Sequence, residues 1–277
     1  CAAVYEYAGE RSEKLVMRIK KLISETKFNV LFDSDKGLFS VGFSVDENKL
    51  SNSYYDMLES EARQTVFLSV ARGEIKTESW FRLSRSLVSN DGYFGLVSWT
   101  GTMFEYFMPL ILMREYKNTL LYESSRFAIR SQKKFAAKRG MPWGVSESGF
   151  FGFDASMNYQ YKAFGIPSLA LKRGMIRECV AAPYATLLAL MVDTDEALKN
   201  LKRLKKLGAV GEYGFYEALD YTAGRVGNEK YAIVKSYMAH HQGMGFASVV
   251  NVLCHNIMQK RFEKFPEVKA CLSLLSE

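Results

Sequence analysis

The reading of this chain turns on Tyr54-Tyr-Asp-Met-Leu-Glu-Ser-Glu-Ala-Arg-Gln-Thr-Val-Phe-Leu-Ser-Val-Ala-Arg72, which is followed by Gly73. Its apolar residues recur at helical spacing and a glycine ends the run, so a helix is predicted over Tyr54 to Arg72. At about 100° per residue, Tyr54, Met57, Leu58, Ala62, Thr65 and Leu68 share one face, and Glu61 falls in its middle. Asp56, Glu59 and Arg63 fall on the opposite side, where Glu59 and Arg63 form an i, i+4 pair. A carboxylate on an apolar stripe is costly unless paired or used, so Glu61 stands out among the helical acids. The plainer alternative is a frayed helix end or a misjudged register.

Working outward, the helical period dominates. Leu15, Val16, Ile19, Leu22 and Ile23 stripe a first helix over Glu6 to Thr26. Further helices are predicted over 102–116 with a kink near Pro109, 120–138, 183–192, 229–241, 243–260 and 266–275. One more, over 194–206, opens on Asp193-Thr-Asp-Glu196 and closes at Gly208. The period changes in Leu38-Phe-Ser-Val-Gly-Phe-Ser-Val45, where Phe39, Val41, Phe43 and Val45 alternate with small residues as in a strand, and Asp46-Glu-Asn48 can turn the chain. Asn90-Asp-Gly92 is a turn signal before a short strand over Tyr93 to Trp99. Two segments rich in glycine and aromatics, 141–168 and 208–228, read as long ordered loops, which in compact domains are usually functional. The prediction is one all-α domain of about nine helices with minor β pieces and both loops on one rim.

Composition narrows the function. The 277 residues are 48% hydrophobic and 24% charged, which excludes a disordered chain and a small disulfide- or metal-dependent scaffold. The longest nearly uncharged apolar stretch, Cys179 to Val192, is too short to span a bilayer and contains Pro183. No signal peptide is visible at Cys1-Ala-Ala-Val-Tyr-Glu6, and a chain starting at Cys1 reads as cut from something longer. The net charge of +7 is concentrated partly in Lys199 to Lys206 and Arg130 to Arg139, both interleaved with helix-spaced apolar residues. These read as solvated helix faces, and no nucleic-acid partner is expected. The four cysteines, at 1, 179, 254 and 271, form no CxxC pair and suit a reducing, cytoplasmic setting. His240, His241 and His255 lack metal-ligand spacing, and no phosphate-binding glycine loop follows a strand, so neither metal nor cofactor is expected.

The acids that stand out lie among aromatics and glycines. They are Glu147 in Trp143-Gly-Val-Ser-Glu-Ser-Gly-Phe-Phe-Gly-Phe153, Glu217 and Asp220 in Tyr213-Gly-Phe-Tyr-Glu-Ala-Leu-Asp-Tyr221, and Glu105 in Trp99-Thr-Gly-Thr-Met-Phe-Glu-Tyr-Phe107. Sugar rings stack on aromatics, carboxylates accept hydroxyl hydrogen bonds, and a desolvated carboxyl can keep its proton and act as general acid. The alternative for each acid is a helix cap or a tie between loop and backbone. Glu147, between two serines and close to Trp143, Phe150 and Phe151, is the expected general acid/base. Trp143, Tyr159, Tyr216 and Tyr221 are expected to stack on the ligand. Gln160, Asp220 and His241 would orient hydroxyls.

Several ordered blocks resemble the glycoamylase-like domain of cyclic β-1,2-glucan synthases. They are Asn52 to Arg63, Gly73 to Arg82, Ser98 to Tyr106, Pro142 to Ser148, Asn158 to Gly165, Lys172-Arg-Gly174, Ala182 to Thr186, Tyr213 to Tyr221 and Ser236 to Met244. The resemblance runs from about residue 30 to the C-terminus. It implies an (α/α)6-barrel related to bacterial endo-β-1,2-glucanases. It also implies a cyclising glucanotransferase acting on β-1,2-glucan, set within a longer chain whose other domains include a membrane-embedded glycosyltransferase. Such a barrel has twelve helices, so this chain reads as a trimmed domain or a fragment, with membrane association only through other domains.

A glycosidic bond needs a second carboxylate across the scissile linkage. The candidates are Glu61, Glu59, Asp56, Glu105 and Glu217, and the resemblance does not choose among the first three. The predicted helix face favours Glu61 as nucleophile, with roughly 5–5.5 Å between its carboxyl and that of Glu147 for retention, against roughly 6.5–9.5 Å for inversion.

Overall fold

The computed structural model describes residues 13–277. The predicted first helix appears as α1, Glu13–Glu25, with no buried residue. Its expected start at Glu6, and Cys1, lie outside the described residues.

The segment that opened the reading is mostly not helix. Tyr54–Tyr55 is a strand, and regular helix begins only at α2, Arg63–Ala71. The cause lies upstream. Phe32–Asp33 (β1) pairs with Leu38–Ser40 (β2), and Tyr54–Tyr55 (β5) joins the other edge of β2, opposite Phe39 and Ser40. Between them, Phe43–Ser44 (β3) and Lys49–Leu50 (β4) form a hairpin whose turn places Asn48 at φ 49°. The predicted alternating strand is therefore broken near Gly42. Phe39 is buried, whereas Val41, Phe43 and Val45 are exposed. After β5, Leu58 donates its N–H to Ser84 O at 3.1 Å, and the chain turns through residues 59–62.

Arg63 decides the geometry of that turn. It is 1% exposed and donates to Glu59 Oε1 at 2.8 Å, to the Glu105 carbonyl at 3.3 Å and to the Tyr106 carbonyl at 2.9 Å. The pair with Glu59 is thus buried, not solvent-facing as the helical projection predicted. Burial raises the Glu59 carboxyl, and the guanidinium 2.8 Å away opposes that rise by favouring the carboxylate.

The remaining elements follow in order. Helix α3 is Glu78–Arg82. Leu87–Asn90 (β6) and Tyr93–Leu96 (β7) form the expected hairpin, with Asp91 and Gly92 both at positive φ, the two-residue turn that Asp-Gly favours. Helix α4, Met103–Phe107, passes into a 3-10 turn at Met108–Ile111 containing Pro109, shorter than the helix predicted over 102–116. Helices α5, Leu120–Ala137, α6, Pro183–Ala189, and α7, Thr194–Lys206, lie close to their predicted spans, and Asp193 caps α7. Both predicted long loops hold strands. The first contains the hairpin Ser148–Phe153 (β8) with Tyr159–Lys162 (β9). Val180–Ala181 (β10), Ala218–Asp220 (β13) and Ala232–Val234 (β14) make a three-stranded antiparallel sheet, preceded by the small hairpin Val210–Gly211 (β11) with Gly214–Phe215 (β12). A short helix α8, Ala223–Val226, sits between β13 and β14. The helix predicted over 229–241 is replaced by β14, because Tyr231-Ala-Ile-Val234 completes that sheet. Helices α9, Ala239–Leu253, α10, Ile257–Phe262, and α11, Pro266–Ala270, close the chain.

The architecture is helix-rich, and the expected minor β pieces are more numerous than predicted, forming six small antiparallel sheets among the described residues. One apolar cluster joins α4, α5 and α6 to the 141–169 segment. Another surrounds Leu58, Phe67, Trp80 and Leu96, where the Trp80 indole donates to Glu277 Oε1 at 2.7 Å. No described helix is long and apolar enough to cross a membrane.

Removing one partner of a buried ion pair strands the other charge. Arg63→Ala is expected to lose about 3–5 kcal/mol in urea unfolding. Lys21→Ala, at an exposed pair with Glu25, leaves the urea midpoint unchanged.

Candidate active site

Glu61 and Glu147 line one open cavity of about 420 Å³ together with Tyr55, Asp56, Trp99, Thr100, Thr102 and Glu105. Each acid arrives from a segment held on several sides. Glu61 lies in the turn that Arg63 fastens, and its Oε2 accepts from Ser60 Oγ at 3.2 Å. Glu147 stands just before β8. Val145 exchanges both backbone bonds with the Gln132 amide of α5, at 2.9 Å each. The Ser146 hydroxyl accepts the Phe104 N–H from α4 at 3.0 Å and bonds Tyr184 Oη of α6 at 2.9 Å. Tyr184 Oη also donates to the Glu147 carbonyl at 2.9 Å. Three helices therefore fix the backbone that aims this acid.

The cavity favours the protonated forms of both acids. Burial first, and then the charge of Glu61, push the Glu147 carboxyl up to about 7, while a hydrogen bond from Tyr161 pulls the other way. Burial, reinforced by Glu105, also raises Glu61. The Tyr55 phenol is raised by burial and by Glu61 and Glu147, which places it against both carboxylates. Like charges in one desolvated cavity resist simultaneous ionisation, so the pair can hold a single proton near neutrality.

The other predicted acids, Asp56 apart, are engaged in holding the fold. Glu105 closes a capping box on α4. Its Oε2 accepts from Ser98 Oγ, Thr102 N and Thr102 Oγ1, and its Oε1 from Thr100 N, at 2.9–3.0 Å. Glu59 is fully buried under Arg63. Asp56 is exposed on the cavity wall. Glu217 and Asp220 are buried on β13 and its approach, where they accept the Gly149 and Phe151 N–H groups of β8 at 3.0 and 3.1 Å. Asp220 also pairs with Arg225 at 2.6 Å. The two glycine-rich segments are thus packed together.

Most predicted stacking groups lie away from this cavity. Trp143 is 6% exposed, in the core, with its backbone held by Asn200. Tyr159 packs on Phe153 at 4.8 Å between ring centroids, Tyr216 on Tyr237 at 5.3 Å and Tyr221 on Tyr231 at 5.2 Å. Gln160 donates to the Phe153 carbonyl on the exposed strand β9. His241 is wholly buried and bonded to Glu217. Trp99, 58% exposed, lines the cavity with Tyr54, Tyr55 and Phe104. The sequence reading passed over Tyr55, and it placed Tyr161 within the Asn158 to Gly165 block without setting it beside Glu147. A β-hairpin reading of 148–162, with its Asp154-Ala-Ser-Met-Asn158 turn, would have brought Tyr161 opposite Gly149 and next to Glu147. Among the described residues no group of three or more His, Cys, Asp or Glu is arranged to hold a metal ion.

Residues 53–266 match the Glycoamylase family model, described as "Putative glucoamylase". The chain belongs to this glycoamylase-like family. It is 40% identical over 273 residues to the cyclic β-(1,2)-glucan synthase NdvB of Rhizobium meliloti (strain 1021). That match covers 98% of this chain and 10% of the synthase. Among solved structures, the chain is similar to a glucoamylase-type protein of Bacteroides fragilis NCTC 9343, with TM-score 0.74 and 19% identity over 99% of this chain and 66% of that one. It is also similar to the endo-β-1,2-glucanase of Chitinophaga pinensis, solved with sophorotriose and glucose, with TM-score 0.71 and 17% identity over 99% and 67%. A β-1,2-glucanase of Parabacteroides distasonis gives TM-score 0.69 at 15% identity, over 99% and 42%. These structural likenesses establish a shared fold.

The electrostatics make a direct prediction. In a carbon-13 NMR titration of side-chain carboxyls, Glu147 is expected to titrate near 7. Glu61→Gln removes a neighbouring negative charge and lowers that midpoint. An unchanged midpoint would show that the two carboxyls do not share a field.

Proposed function

We propose that this chain is the part of a cyclic β-1,2-glucan synthase that cleaves linear β-1,2-glucan and joins the cut chain to its own far end. The observation that carries the reading is the pair Glu61 and Glu147, facing one cavity with both carboxyls raised by burial. The substrate class is supported by the 40% identity to a cyclic β-(1,2)-glucan synthase, and the (α/α)6-barrel, of which these helices form a part, by the likeness to β-1,2-glucanase structures.

In the first step the Glu61 carboxylate attacks the anomeric carbon and forms a glycosyl ester, while protonated Glu147 gives its proton to the departing glycosidic oxygen. In the second, the Glu147 carboxylate takes the proton of an incoming hydroxyl, whose oxygen displaces Glu61. A hydroxyl from the bound chain's own end closes a ring, whereas water gives a linear product. Trp99 offers an apolar face at the cavity rim for a sugar ring, and Asp56 and Thr100 offer hydroxyl partners.

Mass spectrometry of products from linear β-1,2-glucan tests the reading. Rings weigh one water less than linear fragments of equal length and are the expected product; linear oligosaccharides alone would make the chain an endo-hydrolase. Calorimetric binding without turnover would make it a glucan-binding domain. Glu147→Gln and Glu61→Gln should each lower turnover by about two orders of magnitude or more. Near-normal rates in either would remove that residue from the chemistry.

A further inference from the structure

Behind Glu147 lies a file of polar groups that the two-carboxylate scheme leaves unused. Tyr161 stands opposite Gly149 across the β8–β9 hairpin, two residues from Glu147, and its phenol opposes the rise that burial causes in the Glu147 carboxyl. The same hydroxyl lies 3.4 Å from His241 Nε2. His241 Nδ1 lies 2.9 and 3.1 Å from the two carboxyl oxygens of Glu217. Tyr161 is partly exposed, but His241 and Glu217 are 0% and 2% exposed. The imidazole is clamped, stacked on the Tyr184 ring at 3.7 Å between centroids and 8° between planes. Glu217 is fixed in turn by the Gly149 N–H at 3.0 Å, and a side chain at position 149 would crowd it.

We infer that Tyr161, seated on the buried His241–Glu217 pair, is a positioning residue that reverses its hydrogen bond as Glu147 alternates between acid and base. An ionised carboxylate only accepts, so Glu217 holds the proton of His241 on Nδ1 and leaves Nε2 as an acceptor. While Glu147 is protonated and no sugar is bound, its O–H donates to the Tyr161 oxygen, and the Tyr161 O–H donates to Nε2; in the complex the glycosidic oxygen takes over the Glu147 O–H while the Tyr161 O–H stays on Nε2. Once Glu147 has given its proton to the departing sugar oxygen, the Tyr161 hydrogen rotates to the new carboxylate. When the incoming hydroxyl returns a proton to Glu147, Tyr161 swings back to Nε2. No proton leaves the file, and no buried donor is stranded in either state. The hydrogen bond to the charged state is the stronger of the two, so the arrangement helps Glu147 to release its proton. The proposal rests on the assigned role of Glu147.

The chemistry gives two variants opposite signs. Tyr161→Phe keeps the ring and removes the donor to the carboxylate, so the Glu147 midpoint rises. Glu217→Gln keeps its oxygen on the Gly149 N–H and turns its amide N–H toward Nδ1. That moves the imidazole proton to Nε2, which then donates to Tyr161 and commits the phenol hydrogen to Glu147, so the midpoint falls. The other titratable groups that share the field of Glu147 are unchanged: Glu61 from the turn before α2, Glu105 from α4, Tyr55 from β5 and Tyr184 from α6; His240 faces the His241–Glu217 pair and is unchanged too.

The test is the carbon-13 titration of the Glu147 carboxyl in the whole chain, with nitrogen-15 NMR of the His241 ring. The expected results are a rise of about one unit in Tyr161→Phe, a fall in Glu217→Gln, and an Nε2–H ring in the latter. A Tyr161→Phe protein with a native near-ultraviolet spectrum and an unmoved Glu147 midpoint would overturn the proposal, as would shifts of the same sign in both variants. If Glu217→Gln does not fold, Tyr161→Phe alone decides. The titration needs no glucan, so its failure leaves the glucan reading standing, and inactivity toward glucan leaves the titration readable.

Discussion

The site depends on a guanidinium placed where a carboxylate alone could not be tolerated. Arg63 is buried at the first turn of α2 and ties that helix to two other pieces of chain, the turn carrying Glu59 and Glu61 and, through two carbonyls, α4. An unpaired charge there would be very costly, so the turn cannot relax outward without uncovering it. The consequence is an irregular segment held as firmly as a helix. It delivers Glu61 into the cavity while Glu59, two residues earlier, stays beneath as counter-charge.

This arrangement divides the acids into two sets. Glu105, Glu217 and Asp220 accept several N–H and O–H bonds each and hold loops to helices or strands. Glu61 and Glu147 keep carboxyls in the cavity with few such bonds, and burial raises both. The proposed chemistry needs the second set to be poorly compensated, because a saturated carboxylate neither holds a proton near neutrality nor attacks well. The first set makes the second possible by fixing the backbone without donating to those two carboxyls.

The sequence made α5 and α7 legible nearly to the residue, because their apolar stripes are long and α7 opens on a capping aspartate. It hid the small sheets. In β8 and β9 the period of two is interrupted by a bulge between Phe150 and Phe153 and diluted by glycines. The β10–β13–β14 sheet unites strands far apart in sequence, and no local pattern announces such pairing. Glu61 was selected through a helical face that does not exist, although its exceptional place beside apolar residues was real. The same projection turned Glu59 and Arg63 outward, when their pairing is what allows both to be buried. Trp143 was expected to stack on the ligand, but it is 6% exposed within the main apolar cluster, and Gly144, at φ 121°, serves a tight approach to Ala182. Glu147 drew notice through its small and aromatic flanking residues, and the structure sets it on the cavity wall with its carboxyl raised by burial.

The central claim is that Glu61 forms the bond to sugar and Glu147 moves the proton. Azide rescue tests it most directly, with Glu61→Ala and Glu147→Ala proteins given an activated aryl glycoside of β-1,2-linked glucose. If Glu147 is the acid/base, azide can replace the activated hydroxyl in its absence and attack the ester on Glu61, giving a β-glycosyl azide. If Glu61 is the nucleophile, azide fills its space and yields the α-glycosyl azide instead. An α-azide from Glu147→Ala, or a β-azide from Glu61→Ala, would contradict the assignment.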